Sequence, residues 1–272
     1  MILAGGIDAS LAAKAATTTI PIVFISAADP LAMGLVASLN RPGANLTGSA
    51  ILQAELEPKQ LQLLHDLIPN AALFGVLADP ASPTTQFIIA RLQAAAPTLG
   101  LQLIVMSART DSDLEPAFAS FSQQRVGAVL VGSSAYFNRR TEQLAALAAR
   151  HALPAIFPYR EYVLAGGLMS YGSSLGYGYY RAGIYTGRIL KGEKPADLPV
   201  EQAVRIELTL PDSGRSVGYP LPFYGEDSPL WTQGNLSTYW SVPFLLADII
   251  AYLTPALCGA ALITFIFRKI KQ

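Results

Sequence analysis

Residues 73–106, LFGVLADPASPTTQFIIARLQAAAPTLGLQLIVM, carry the pattern that decides the fold. An apolar run of strand length, Leu73 to Ala78, stops at Asp79-Pro80. A helical stretch over 84–99 follows, closed by Gly100, and a second apolar run fills 101–106. Short apolar runs without polar alternation suit strands covered on both faces, and a helix between two of them makes a parallel crossover.

The alternation extends in both directions. Toward the C-terminus the pattern predicts helices over 114–124, 139–151 and 177–190, with strands at 128–131, 155–157 and 167–170. Toward the N-terminus, residues 1–6 read as the end of a strand that opens into a helix over 9–17. A strand over 20–25 follows, then a short helix over 31–39 that stops at Asn40-Arg41-Pro42-Gly43. Residues 58–68 form an amphipathic helix with Leu61, Leu64, Leu67 and Ile68 on one stripe. The fold class is therefore α/β, with parallel sheets covered by helices.

Residues 193–240 break the rhythm with Pro195, Pro199, Pro211, Pro220, Pro222 and Pro229. Within them, 201–210 reads as one extended strand and the rest as linker. Beyond it, residues 249–267 form a stretch of 19 without a formal charge. With the apolar lead-in from Val242 this reaches the ~20 residues that span a bilayer. Trp231, Tyr239 and Trp240 precede it and Arg268, Lys269 and Lys271 follow, so a C-terminal transmembrane helix is expected over 241–268. Residues 1–6 lack the basic start and long apolar core of a secretory signal.

Composition narrows the function. The chain has 272 residues, with 19 basic and 19 acidic side chains, and is 51% hydrophobic but only 14% charged. Zero net charge without a basic block argues against nucleic-acid binding. One cysteine, Cys258, excludes a disulfide framework, and two histidines, His65 and His151, leave little for a metal or catalytic cluster. No nucleophile elbow, phosphate loop or zinc motif is present. No cofactor, no metal and no catalytic activity are expected. His151 suits the C-terminal end of a helix, and Arg139-Arg140 reads as a solvated, salt-bridging pair.

What remains are polar and aromatic residues just past the predicted strand ends, where open α/β sheets bind ligands. They are Ser26, Asp29, Asp79, Ser82, Ser133, Ser134, Phe137, Tyr159 and Tyr171. Hydroxyls and carboxylates that orient a ligand, beside aromatic contact area, describe a site for a small polar molecule. Each residue taken singly also suits ordinary turn chemistry. Together they point to binding without catalysis.

Several longer blocks resemble one family. Residues 12–17 (AAKAAT) running into 20–24 (IPIVF), Asp29-Pro30, residues 34–36 (GLV) and 39–48 (LNRPGANLTG) are similar to bacterial ABC-transporter substrate-binding proteins of the TrpX-like group. So are Asn138-Arg139-Arg140, residues 147–156 (LAARHALPAI), Tyr159-Arg160-Glu161, 165–172 (AGGLMSYG), and the span from 189–192 (ILKG) to 199–202 (PVEQ). The resemblance covers about residues 1–208.

It implies a two-lobed type I periplasmic-binding-protein fold that closes on a small ligand between the lobes. Residues 1–50 and 168–192 would form the first lobe, and 51–167 the second. The family places roughly one further βαβα unit before Gly5, so the first lobe is expected to be incomplete. The expected function is the solute-binding component of an ABC-type import system, with an amino acid among the ligands that suit the site. Its partners would be a permease and, through the C-terminal helix, the membrane, with the binding domain on the periplasmic or extracellular side. The alternative is the extracytoplasmic ligand-sensing domain of a membrane signalling receptor.

Overall fold

The computed structural model describes residues 1–53, 56–203 and 205–210, together with the backbone of Val217–Gly218. The chain opens with β1 (Ile2–Gly5), α1 (Ile7–Ala16), β2 (Ile22–Ser26) and β3 (Leu46–Ala50). It continues through α2 (Glu57–Leu67), β4 (Leu73–Ala78), α3 (Thr85–Ala95), β5 (Gln102–Ser107), α4 (Asp111–Gln123) and β6 (Ala128–Val131). Next come α5 (Ala135–Asn138), α6 (Thr141–Arg150), β7 (Ala155–Phe157), α7 (Arg160–Leu164) and β8 (Met169–Ser173). The described part ends with α8 (Leu175–Leu190), β9 (Glu201–Gln202), β10 (Ile206–Thr209) and β11 (Val217–Gly218).

These strands form two separate sheets, one of four strands in the order β1-β2-β3-β9 and one of seven in the order β11-β10-β8-β7-β6-β4-β5. The first is parallel throughout, as is β8-β7-β6-β4-β5 in the second, while β10 and β11 run antiparallel. The inner strands of both sheets are covered on both faces. Along β4, Phe74 and Val76 join one core cluster with Leu61, Ile88 and Leu92. Leu77 joins the other, with Phe118, Phe121 and Phe157. In the first sheet, Ile22 and Phe24 pack with Leu35 and Leu46, while Val23 and Ile25 meet Ala182 and Tyr185 of α8. Burial on both faces is why the apolar runs are continuous.

Three expectations change. Strand β3 escaped the sequence reading because Leu-Thr-Gly-Ser-Ala is small and polar, yet all five residues are buried. Gly48 is required there, since a β-carbon would stand 2.1 Å from the Phe24 carbonyl oxygen. The helix expected over 31–39 is instead a series of turns. Gly34 sits at φ 66°, and Asp29 Oδ1 accepts from the Leu31 amide at 2.8 Å, which satisfies the backbone without a helical ladder. Residues 168–173 were expected with the first lobe. Instead β8 pairs with β7 and β10, so it belongs to the seven-stranded sheet.

The extended stretch 201–210 serves both sheets, with β9 on β3 and β10 on β8. It makes one of three passages between the sheets, beside those after β3 and after β8. These passages are bonded side by side. Gln53 Oε1 accepts from the Ser173 amide at 2.7 Å, the Ser173 hydroxyl donates to the Ile51 carbonyl, and the Ser174 amide donates to the Arg205 carbonyl at 2.7 Å. No described helix is long and apolar enough to cross a membrane. The transmembrane helix expected over 241–268 lies outside the described residues.

Gln53 is fully buried, so Gln53→Ala strands the Ser173 amide without its acceptor. A loss of about 2 kcal/mol is expected in urea unfolding. Loss under 0.5 kcal/mol would mean that the passages hold together without it.

Candidate functional site

The carboxyl ends of the parallel strands carry most of the residues singled out from the sequence, and most of those build turns. The Ser26 hydroxyl donates to the Ala28 carbonyl at 2.8 Å. Asp79 Oδ1 accepts from the Ala81 amide at 2.9 Å, and its carbonyl accepts from the Thr85 hydroxyl. Ser82 and Thr84 share a hydroxyl–hydroxyl bond of 2.9 Å. Ser134 caps α5 by accepting from the Phe137 amide at 3.1 Å. With Asp29, these five side chains give two sets of rigid loops, one at the end of each sheet.

Ser133 and Tyr159 form a different arrangement. They follow β6 and β7, and their hydroxyls lie 3.0 Å apart. Burial pushes the Tyr159 phenol well above its usual range, opposed by the Ser133 bond and reinforced by Glu57, Glu161 and Tyr179. It is therefore a neutral donor and acceptor at physiological pH.

Two expected aromatics do not reach this region. Phe137 is fully buried in the cluster of Phe118, Leu144 and Tyr162. Tyr171 is buried in the interior of the second sheet, in the cluster of Leu61, Leu64 and Leu208. Its carbonyl accepts from Gln60 Nε2 at 2.6 Å. A strand alternates its side chains, and β8 is covered on both faces, so Tyr171 enters the core with Met169.

The structure adds residues the sequence reading missed. Tyr179, near the start of α8, is 46% exposed. Its hydroxyl oxygen lies 2.8 Å from where a β-carbon on Gly5 would stand. Gly178 lets α8 lie close on the first sheet, since a β-carbon there would meet Ile51 Cγ2 at 2.7 Å. The signal was the Gly-Tyr-Gly-Tyr-Tyr run at 176–180, whose contact with Gly5 no local pattern reveals. Asp8, in the first turn of α1, is the other addition. Partial burial raises its carboxyl above the usual range, and Asp79 of the other sheet raises it further.

Across the two sheets, Asp79 thus acts electrostatically on Asp8, and Tyr179 on Tyr159. Ala27, Leu175 and Tyr177 also pack against the core of the second sheet. The two sheet ends face one another. A recess of about 260 Å³ lies beside Asp29, Leu31, Ala50 and Gln202. A hollow of about 720 Å³ opens elsewhere, beside Asp111, Tyr136 and Arg140, and includes none of the strand-end residues. There Arg140 lies 3.8 Å from the Tyr136 ring centroid and 2.5 Å from Asp111, the salt bridge anticipated for it. His151 ends α6, 2.9 Å from Glu115 and stacked on Phe118. Among the described residues no three His, Cys, Asp or Glu side chains gather to hold a metal.

The family described as ABC transporter substrate binding protein matches residues 1–213. The chain belongs to this family. A "Tyrosine-binding protein" of Clostridioides difficile (strain R20291) is 25% identical over 211 residues. That alignment covers 77% of this chain and 60% of the relative, so the chain spans about 60% of the relative's length. A conserved domain protein from Vibrio cholerae superposes with a TM-score of 0.67 at 25% identity, covering 77% of this chain and 70% of the other. A Streptococcus ABC domain in complex with L-Trp gives the same TM-score and coverage at 21% identity, a likeness of fold. The parallel α/β architecture is that of type I periplasmic binding proteins.

Asp8 should report the facing carboxylate. An acid whose folded pKa is raised contributes its full stability below the ordinary carboxyl value and loses it as pH rises through the raised one. In Asp79→Asn, which keeps an acceptor for Ala81, carbon-13 NMR should show Asp8 titrating at lower pH than in the wild type. The fall in melting temperature through that range should shrink with it. An Asp8 titration unmoved by the change would show that the two carboxyls do not interact.

Proposed function

We propose that this chain is the solute-binding component of an ABC-type import system, holding an aromatic amino acid between two lobes on the extracytoplasmic side. The first lobe is the four-stranded sheet with α1 and α8, and the second is the seven-stranded sheet with α2 to α7. Ser26, Asp29, Asp79, Ser82 and Ser134 fix the loops at the rim, while Ser133 and Tyr159 offer hydroxyls to the ligand.

One observation carries this reading: the Ser133 and Tyr159 hydroxyls lie 3.0 Å apart just past the carboxyl ends of β6 and β7, where a parallel sheet offers its ligand groups. A ring beside hydroxyls suits an aromatic side chain with polar ends. The carboxylates Asp8 and Asp79 supply negative charge for an ammonium group. The tyrosine-binding relative supports the same ligand class. Closure on the ligand is a hinge motion at the three passages, and the closed form is what a permease would recognise. The uncharged run 249–267 favours a second reading, a membrane-tethered sensor, for which the binding step is the same.

The test is a thermal melt of the full chain with a panel of free amino acids. At a ligand concentration 100 times its Kd, binding stabilises by about 2.7 kcal/mol. For a domain of this size that is a rise of about 5 °C or more. The expected result is such a rise with L-tyrosine or L-tryptophan and none with glycine or aspartate. A cooperative melt that no aromatic amino acid raises would overturn the ligand class.

A further inference from the structure

Each open sheet has two edge strands, and among the described residues these are β1 and β9 in one sheet and β11 and β5 in the other. Strands β9 and β11 are two residues long, and Glu201 of β9 carries a charge that Arg181 meets at 2.7 Å. Strand β1 has four residues and ends at Gly5. Strand β5 is the longest edge. Its six residues, Gln-Leu-Ile-Val-Met-Ser, include no charge, proline or glycine. Charges, prolines and shortness are the devices that keep an edge from pairing with another chain, and β5 has none of them.

The pairing with β4 fixes which backbone groups are open. The Gln102 amide donates to the Ala72 carbonyl at 2.8 Å, and the Ala108 amide to the Ala78 carbonyl at 3.0 Å. In a parallel pair both main-chain groups of a residue turn to one side, and successive residues alternate. Leu103, Val105 and Ser107 therefore turn their N–H and C=O groups away from β4, toward a side where no described strand pairs with them. The side chains here are only half covered. Leu103 and Val105 lean on the core beneath α3, and Ile104 and Met106 on the core beneath α4.

We propose that this edge is a dimer interface, with β5 pairing antiparallel to β5 of a second copy about a two-fold axis at Val105. Such an axis, normal to the sheet, keeps each face on its own side and makes the contact closed and self-complementary. Val105 then meets its own counterpart, Leu103 meets Ser107, and all the open groups find partners. On the other face Ile104 meets Met106, an apolar pair. The neighbouring registers fit less well. An axis at Ile104 sets Ser107 opposite Leu101, whose amide is already given to the Ala96 carbonyl at 3.0 Å. An axis at Met106 sets Leu103 opposite Arg109, whose amide is given to Asp113 Oδ2 at 2.9 Å.

The area suffices. Six residues of strand run about 20 Å, and a helix–sheet–helix rim is about 30 Å thick, or about 600 Å² on each copy. The total of about 1,200 Å² is at the lower end for a specific stable interface. Antiparallel pairing points the ligand-site ends of the two copies in opposite directions, so neither covers the other.

Sedimentation velocity of the full chain over a range of concentrations is the test. The mass should rise from 28.9 kDa toward twice that value. Ser107→Pro alters an exposed residue and removes only an outward N–H, so the bonds to β4 and the melting temperature should persist while the dimer weakens by about tenfold or more. Leu3→Lys, on the edge of β1, should leave the dimer intact. In a Cys258→Ser background, Val105→Cys should cross-link to itself on oxidation, because facing bonded residues have α-carbons about 5.5 Å apart. Leu103→Cys should not, since its counterpart lies about 13 Å further along the strand.

A mass of 28.9 kDa at every concentration would overturn the proposal. So would a dimer that survives Ser107→Pro unweakened, or one that Leu3→Lys dissolves. Cross-linking through position 103 and not through 105 would overturn the pairing as well.

Discussion

The side chain of Gln53 holds together the only part of the described structure where the two sheets are joined by the main chain. Among the described residues no strand pairing connects one sheet to the other. Each has core clusters of its own, one of which also takes in Ile51 and Ala203 beside the passages, and the three passages carry the main chain from one sheet to the other. Gln53 lies on the first passage and accepts from Ser173 on the second, whose hydroxyl bonds back to Ile51, while Ser174 donates to Arg205 on the third. Close packing accompanies the bonding, since Gly172 has the Pro158 carbonyl oxygen 1.8 Å from where a β-carbon would stand. In a two-lobed binding protein this is where fixed and moving parts must meet.

The site follows from that joint and from strand direction. All parallel strands of a sheet end on the same side, so a ligand space needs only two such ends brought opposite each other. Most of the polar side chains there are consumed in holding their own loops, as with Ser26, Asp29, Ser82 and Ser134. The groups with capacity to spare are few, and they come from both lobes. A ligand that bonds to both lobes at once makes the closed arrangement more favourable than either lobe could alone.

The architecture was legible because strands buried on both faces must be apolar throughout. Leu73–Ala78 and Ala128–Val131 declare themselves. Strand β3 does not, because its burial comes from contacts made far along the chain. The Thr47 hydroxyl donates to the Leu198 carbonyl at 2.8 Å, and Gly48 accommodates Phe24. The same limit governs the site. Turn-forming serines and aspartates punctuate the sequence locally, so the rim could be read. Which aromatic faces the gap could not, because that is set by packing. Tyr171 shares its face with core residues, Tyr159 offers little but its hydroxyl, and Tyr179 depends on a glycine near the opposite end of the chain.

One residue, Ser174, separates β8 of the second sheet from α8 of the first lobe. Its side chain caps the helix by accepting from the Tyr177 amide at 3.3 Å, and successive α-carbons across a trans peptide are fixed at 3.8 Å. A link so short permits swinging but hardly any sliding. The two lobes are therefore bound like the leaves of a book at its spine, and their approach is described by an angle. Because α8 starts at this link, residues in its first turns, Tyr179 among them, stay near the spine and would be displaced least by any rotation about it.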